Sequence, residues 1–200
     1  MQRVHCSQVY IILYLFLNMI YASFRAPSGI FNNWLNYVAA KVTGGDFCHS
    51  EFIFEWTEEE LADALSAAEL SGSDLNRITR VDSKIQVAMY VMWGMTVGYR
   101  VLSYDAEDPF YRMPETDLVP VPCNFKEEKR LFAWCMEQYG KDYDKVGALG
   151  CIVPVRAWQV EYDAYFCSQF MACALNHSYI TSVNPGSATP NSLYKLLTSQ

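Results

Sequence analysis

An α+β domain is predicted by two observations: some stretches alternate aromatic and β-branched residues with period two, while others repeat apolar residues at helical spacing. Internal repeats and low-complexity linkers are absent, so the 200 residues are read as one domain with at most an N-terminal appendage. A hydrophobic fraction of 52%, with 14 Tyr, 11 Phe and 5 Trp, describes a chain able to bury a sizeable core. The formal net charge of −7, without a basic stripe, argues against nucleic acid as a partner. The 7 cysteines are scattered and odd in number, no two form a Cys-x-x-Cys pair, and only 3 histidines accompany them. Neither a metal site, a disulfide framework nor any other cofactor is expected, and the thiols read as reduced, in a cytoplasmic setting.

In chain order, the first element is the apolar run Val9 to Phe24, which is shorter than the roughly 20 residues needed to span a bilayer. It reads as an interior strand over Tyr10 to Leu17, or as a signal peptide or membrane anchor, with Arg3 ahead of it and Ala22-Ser23 near its end. Residues 1–27 are therefore set apart from a domain over 28–200. Ser28 to Ala40 has apolar residues at 30, 31, 34, 35 and 38, which predicts an amphipathic helix capped by Ser28. The turn Thr43-Gly44-Gly45-Asp46 delivers the chain into a strand from Phe47 to Trp56. Alternation puts Phe52, Phe54 and Trp56 on the core side, nominally with Cys48, and His49, Glu51, Ile53 and Glu55 on the other, accessible side. An imidazole with a carboxylate two residues on can serve as a base; the same pattern also fits a solvated edge strand with an incidental histidine.

Thr57 with Glu58-Glu59-Glu60 predicts a capped helix start, and Ser71 to Asp74 a loop. Alternation from Lys84 to Tyr99 predicts one half-buried strand, bent at Gly94. Four prolines between Asp105 and Pro122 predict a long exposed connection. Asn124 to Tyr139 reads as a helix ended by Gly140. Glu161 to Ala164 reads as the loop into a further helix, whose apolar residues at Phe166, Phe170, Cys173 and Ala174 keep helical spacing. Cys167 falls in its first turn, where unpaired N–H groups and the positive end of the macrodipole favour a thiolate. The same cysteine also fits as a small core hydrophobe. His177 lies at the far end of that helix as a cap, and a loop followed by a short helix closes the chain.

Three motifs in this order resemble the circularly permuted NlpC-type branch of papain-like cysteine hydrolases, its viral and phage members in particular. They are the His-x-Glu strand (His49, Glu51), the segment Gly140-Lys141-Asp142-Tyr143-Asp144, and the helix opening Phe166-Cys167-Ser168-Gln169; Thr189-Pro190-Asn191-Ser192-Leu193 matches a Ser/Thr-Pro-x-x-Leu segment of that branch. The resemblance covers residues 28 to 197. It implies an antiparallel sheet carrying His49 packed on the helix of Cys167, with Cys167 as nucleophile and His49 as base. A third polar residue would orient the imidazole; Glu51 is the candidate, with Glu69 and Gln86 as rivals. The backbone N–H of Cys167 and a neighbouring donor would hold the oxyanion, Tyr165 being a possible second donor or simply a packing residue. Cys48, beside His49, competes with Cys167 as nucleophile, but strand alternation turns it away. The implied activity is cleavage of an amide bond in a peptide or isopeptide. Alternatives are lipid acyl transfer or hydrolysis of the lecithin:retinol acyltransferase type, which a membrane anchor at Val9 to Phe24 would favour, and a structural or interaction protein that keeps the fold without turnover.

Overall fold

The strand that begins at His49 lies in the middle of the molecule's main sheet. In a computed structural model, which describes residues 19–28, 31, 33–67, 85–101, 116–150 and 163–199, five strands are ordered β4-β3-β2-β1-β5 and every neighbouring pair is antiparallel. They are β1 (Met19–Arg25), β2 (His49–Trp56), β3 (Ile85–Val91), β4 (Val97–Val101) and β5 (Thr116–Pro122). The helices are α1 (Trp34–Val42), α2 (Glu58–Ala67), α3 (Phe125–Glu137), α4 (Lys145–Gly150), α5 (Cys167–His177) and α6 (Pro190–Thr198). The α+β class is as expected.

One sheet face forms the core. Ile20, Ala22 and Phe24 of β1, Phe52, Phe54 and Trp56 of β2, and Val87 and Met89 of β3 pack with Phe170, Met171 and Ala174 of α5 and with Leu131 and Phe132 of α3. The Phe132 ring meets Phe54 and Trp56 edge-on, at 5.3 and 4.6 Å between centroids. β2 is flanked by β1 and β3, and its second face is buried as well, at His49, Glu51 and Ile53.

Several boundaries differ from the sequence reading. Tyr10 to Leu17 and Ser71 to Asp74 lie outside the described residues, as does Glu69. The apolar run ends in β1, an inner strand paired on both sides, with Arg25 opposite His49 and Ser23 opposite Glu51. α1 starts at Trp34, later than expected, because Asn33 and not Ser28 caps it by accepting the Asn36 N–H at 3.0 Å. The stretch Lys84 to Tyr99 is not one bent strand. Gly94, at φ +79°, turns the chain into the β3–β4 hairpin and leaves Trp93 and Met95 exposed in the turn. The end of the proline-rich segment is the edge strand β5, where Pro120 and Pro122 are tolerated because one flank needs no ladder donors. Ala164, read as the end of a loop, forms with Tyr165 the strand β7 (Ala164–Tyr165), paired in parallel with β6 (Asp142–Tyr143). Among the described residues no helix is long and apolar enough to cross a membrane.

Candidate active site

Cys167 is the first residue of α5, and the helix starts without a capping side chain. Phe166 holds the N-cap position in an extended conformation and has no polar group to offer; Gln169 Oε1 reaches back to its N–H at 3.4 Å. The first-turn donors therefore remain for the sulfur, which receives backbone N–H groups from Ser168 and, across the helix–sheet boundary, from Ser50. Ser50 has a free flank because the β2–β3 register starts only at Phe52. Burial alone would push the Cys167 thiol up; His49 and those two N–H groups reverse this and hold it below its ordinary value of 9.0.

His49 opens β2 and is 3% exposed. The ring of Phe31 stacks on the imidazole at 4.9 Å with 20° between planes. Burial works to lower its pKa, but the Cys167 sulfur and the Glu51 carboxylate more than offset this and raise it from 6.5 to about 9. Each member of the Cys167–His49 pair thus shifts the other toward its charged form. The Nε2 atom is buried and makes no hydrogen bond to any described residue; Glu51 Oε2 stands 3.8 Å away, at ion-pair range. The His49 face of β2 is therefore neither accessible nor an edge: two flanking strands and Phe31 close it.

Glu51 shares that face and is 2% exposed. It accepts Arg25 Nε at 2.9 Å together with Arg25 Nη2, and Arg100 Nη2 approaches its two oxygens at 3.3 and 3.4 Å. Burial would raise the carboxyl pKa; His49, Arg25 and Arg100 outweigh that and bring it down from 4.5 to about 2. Glu51 is thus a fixed anion between two guanidinium groups and the imidazole. Sequence reasoning missed both arginines, which lie 26 and 49 residues from Glu51 and reach it only through strand register. A guanidinium ending an otherwise apolar strand, as Arg25 does, is the one signal that pointed there.

Of the two rivals to Glu51, Gln86 stands away from the site and Glu69 lies outside the described residues. Gln86 lies opposite Glu55 and donates to its carboxylate, at the far end of β2. Tyr165 is 2% exposed and its hydroxyl donates to Gln138 Oε1 at 3.0 Å, which engages the group offered as a second oxyanion donor. His177 ends α5 with its ring 5.9 Å from Trp134. Cys48 precedes β2 instead of alternating within it, and it lines the same cleft as His49 and Cys167, contrary to the expected opposite face. Burial, with the Cys167 charge second, pushes its thiol up to about 12, and it donates to the Arg25 carbonyl at 3.4 Å. Cys123 and Cys173 are likewise raised, to about 12 and about 11, chiefly by burial, and Cys135 lies well above 9.0 for the same reason. Among the five described cysteines, Cys167 alone is shifted toward the thiolate.

A residue to which the sequence reading gave no role fixes the turn that precedes His49. Asn191, in α6, is 2% exposed; it accepts the Phe47 N–H at 3.0 Å and donates to Phe47 O, Ala40 O and Thr43 Oγ1 at 3.0, 3.1 and 2.7 Å. It ties α6 to the turn that feeds β2. The Gly45 backbone lies so close that an added Cβ would sit 2.2 Å from Asn191 Oδ1.

Cys167 and His49 line a cleft of about 640 Å³. Trp34 and Leu35 of α1 form one wall, Met92, Trp93 and Met95 at the β3–β4 turn the other, and Leu149 of α4 adds to the rim. Among the described residues, no group of His, Cys, Asp and Glu is arranged to hold a metal ion. No protein-family model, curated protein or solved structure matches the chain.

Proposed function

We propose that the chain is a cysteine hydrolase that cleaves an amide bond, in a peptide or isopeptide, through an acyl-enzyme on Cys167. One observation carries the reading: a helix-start thiol and a buried imidazole, contributed by elements 118 residues apart, stabilise each other's charged forms while the other described thiols are held neutral. The antiparallel sheet bearing His49 against the helix bearing Cys167 is the arrangement that a permuted papain-like fold requires, and it supports that assignment.

In the mechanism, the Cys167 thiolate attacks the substrate carbonyl carbon. First-turn N–H groups of α5 supply donors to the developing oxyanion. As the tetrahedral species collapses, the C–N bond breaks and the His49 imidazolium gives its proton to the departing amine. His49, now neutral, takes a proton from water as the hydroxyl adds to the thioester; the C–S bond breaks and returns thiolate and imidazolium. Glu51 keeps its charge throughout, anchored by Arg25 and Arg100, and steadies the imidazolium. The test is to incubate the protein with acyl and peptidyl amides of 7-amino-4-methylcoumarin, quench in acid and weigh the peptide holding Cys167. The expected result is an acyl adduct released by neutral hydroxylamine, with coumarin release lost in Cys167→Ala and His49→Ala. Turnover surviving in Cys167→Ala would overturn the proposal.

A further inference from the structure

Two thiols share the cleft at His49. Of the five described cysteines, Cys48 and Cys167 line it, while Cys123, Cys135 and Cys173 are buried in the core. Cys48 stands directly before His49, which bonds to the Cys167 sulfur, and two residues ahead of Ser50, whose N–H reaches the same sulfur. It is half-buried and lies just outside the β1–β2 ladder, whose last pair is Arg25 with His49. Its Sγ donates to Arg25 O at 3.4 Å. A thiol is a weak donor, so this bond does little to hold the side chain against rotation toward Cys167.

From this we infer that Cys48 is the resolving thiol of a reversible disulfide with Cys167, formed when hydrogen peroxide oxidises Cys167. In the first step the Cys167 thiolate attacks a peroxide oxygen: the S–O bond forms, the O–O bond breaks, and the hydroxide set free takes the His49 proton to become water. The sulfur is oxidised to a sulfenic acid and the peroxide is reduced. In the second step the Cys48 sulfur attacks the Cys167 sulfur: the S–S bond forms, the S–O bond breaks, and hydroxide departs with the Cys48 proton as a second water. The electrostatics set the order. Cys48 is kept a thiol, at about 12, by burial first and by the Cys167 charge second; a neutral sulfenic acid removes the second cause, so Cys48 gains reactivity after Cys167 has been oxidised. The disulfide occupies the sulfur that attacks carbonyls, stopping turnover until a thiol reductant opens it, and it keeps Cys167 from the irreversible sulfinic acid.

The test treats the full chain with graded hydrogen peroxide, blocks free thiols with N-ethylmaleimide and weighs the peptides of a non-reducing digest. The expected product is the Cys48 peptide joined to the Cys167 peptide, separated again by dithiothreitol. Cys48→Ser keeps a hydroxyl for Arg25 O but offers no resolving sulfur. Its Cys167 should add dimedone as the sulfenic acid and then pass to the sulfinic acid, so dithiothreitol should recover at least ~5-fold less free Cys167 thiol than in wild type. A wild-type Cys167 that stays a thiol, goes to the sulfinic acid or joins any cysteine other than Cys48 overturns the inference, as does wild-type recovery in Cys48→Ser. Each readout is the mass of the Cys167 peptide, so the inference stands or falls separately from amide hydrolysis.

Discussion

Replacing Glu51 with Gln keeps the shape of the side chain and removes one charge from the centre of the site. Three cationic groups converge on that carboxylate: Arg25 Nε at 2.9 Å, Arg100 Nη2 at 3.3 Å and the His49 imidazolium, whose Nε2 is 3.8 Å away. The carboxyl pKa of about 2, against an ordinary 4.5, corresponds to about 3 kcal/mol at ~1.4 kcal/mol per pH unit. Because the folded value is the lower one, this stability is fully present above 4.5 and is lost as pH falls toward 2. Near neutral pH the substitution also strands Arg25, which is 4% exposed, so the expected destabilisation is about 3–5 kcal/mol. The assay is urea unfolding followed by tryptophan fluorescence, at neutral pH and at steps down through that window, on wild type and Glu51→Gln. The difference should be largest at neutral pH and narrow as the wild-type carboxyl takes up its proton. A Glu51→Gln protein within ~0.5 kcal/mol of wild type at neutral pH, or a difference that ignores pH, would refute the reasoning.

Cys167→Ala and His49→Ala are each expected to lower amide turnover at least ~10³-fold, and the double variant little further, because the two act as one unit; steady-state kinetics on folded protein checks both. Asn191→Ala removes an acceptor and donors shared by Phe47, Ala40 and Thr43, and should cost about 2–3 kcal/mol in urea unfolding. Gly45→Ala pushes a Cβ into the same side chain and should lower stability as well; an unchanged unfolding midpoint would show that α6 does not hold the turn before His49. Conversion of the His49 imidazolium to its neutral form should slow turnover as pH rises through about 9, with the acid limb set by loss of the Cys167 thiolate. A rate that keeps climbing well above that pH would contradict the ion-pair reading.

What the sequence displayed was local. Helical spacing from Phe166 to Ala174 located α5 and put Cys167 in its first turn, and period-two aromatics located β2 with His49 and Glu51 on one side. Whether that side met solvent depended on neighbours: Arg25 and Arg100 close over Glu51 and Phe31 stacks on His49, so an expected surface is an interior. Alternation from Ile85 to Met95 reads alike for a bent strand and a hairpin, and only the positive φ of Gly94 separates them. Arg100 carried no local mark, and Arg25 only its charge at the end of an apolar run, since strand register brings both to Glu51. Cys48 was assigned by alternation to a face it does not take, because the strand begins one residue after it.

The central claim is that Cys167 is held as a thiolate by His49. It is tested most directly by the pH dependence of iodoacetamide labelling at each cysteine, read by peptide mass spectrometry on the native protein and on His49→Ala. Cys167 lines the cleft and should label rapidly well below pH 9.0, where Cys48, Cys123 and Cys173, at about 12, 12 and 11, stay protonated; without His49 that advantage should vanish. Labelling of Cys167 no faster than of the other thiols, or unchanged in His49→Ala, would contradict the account.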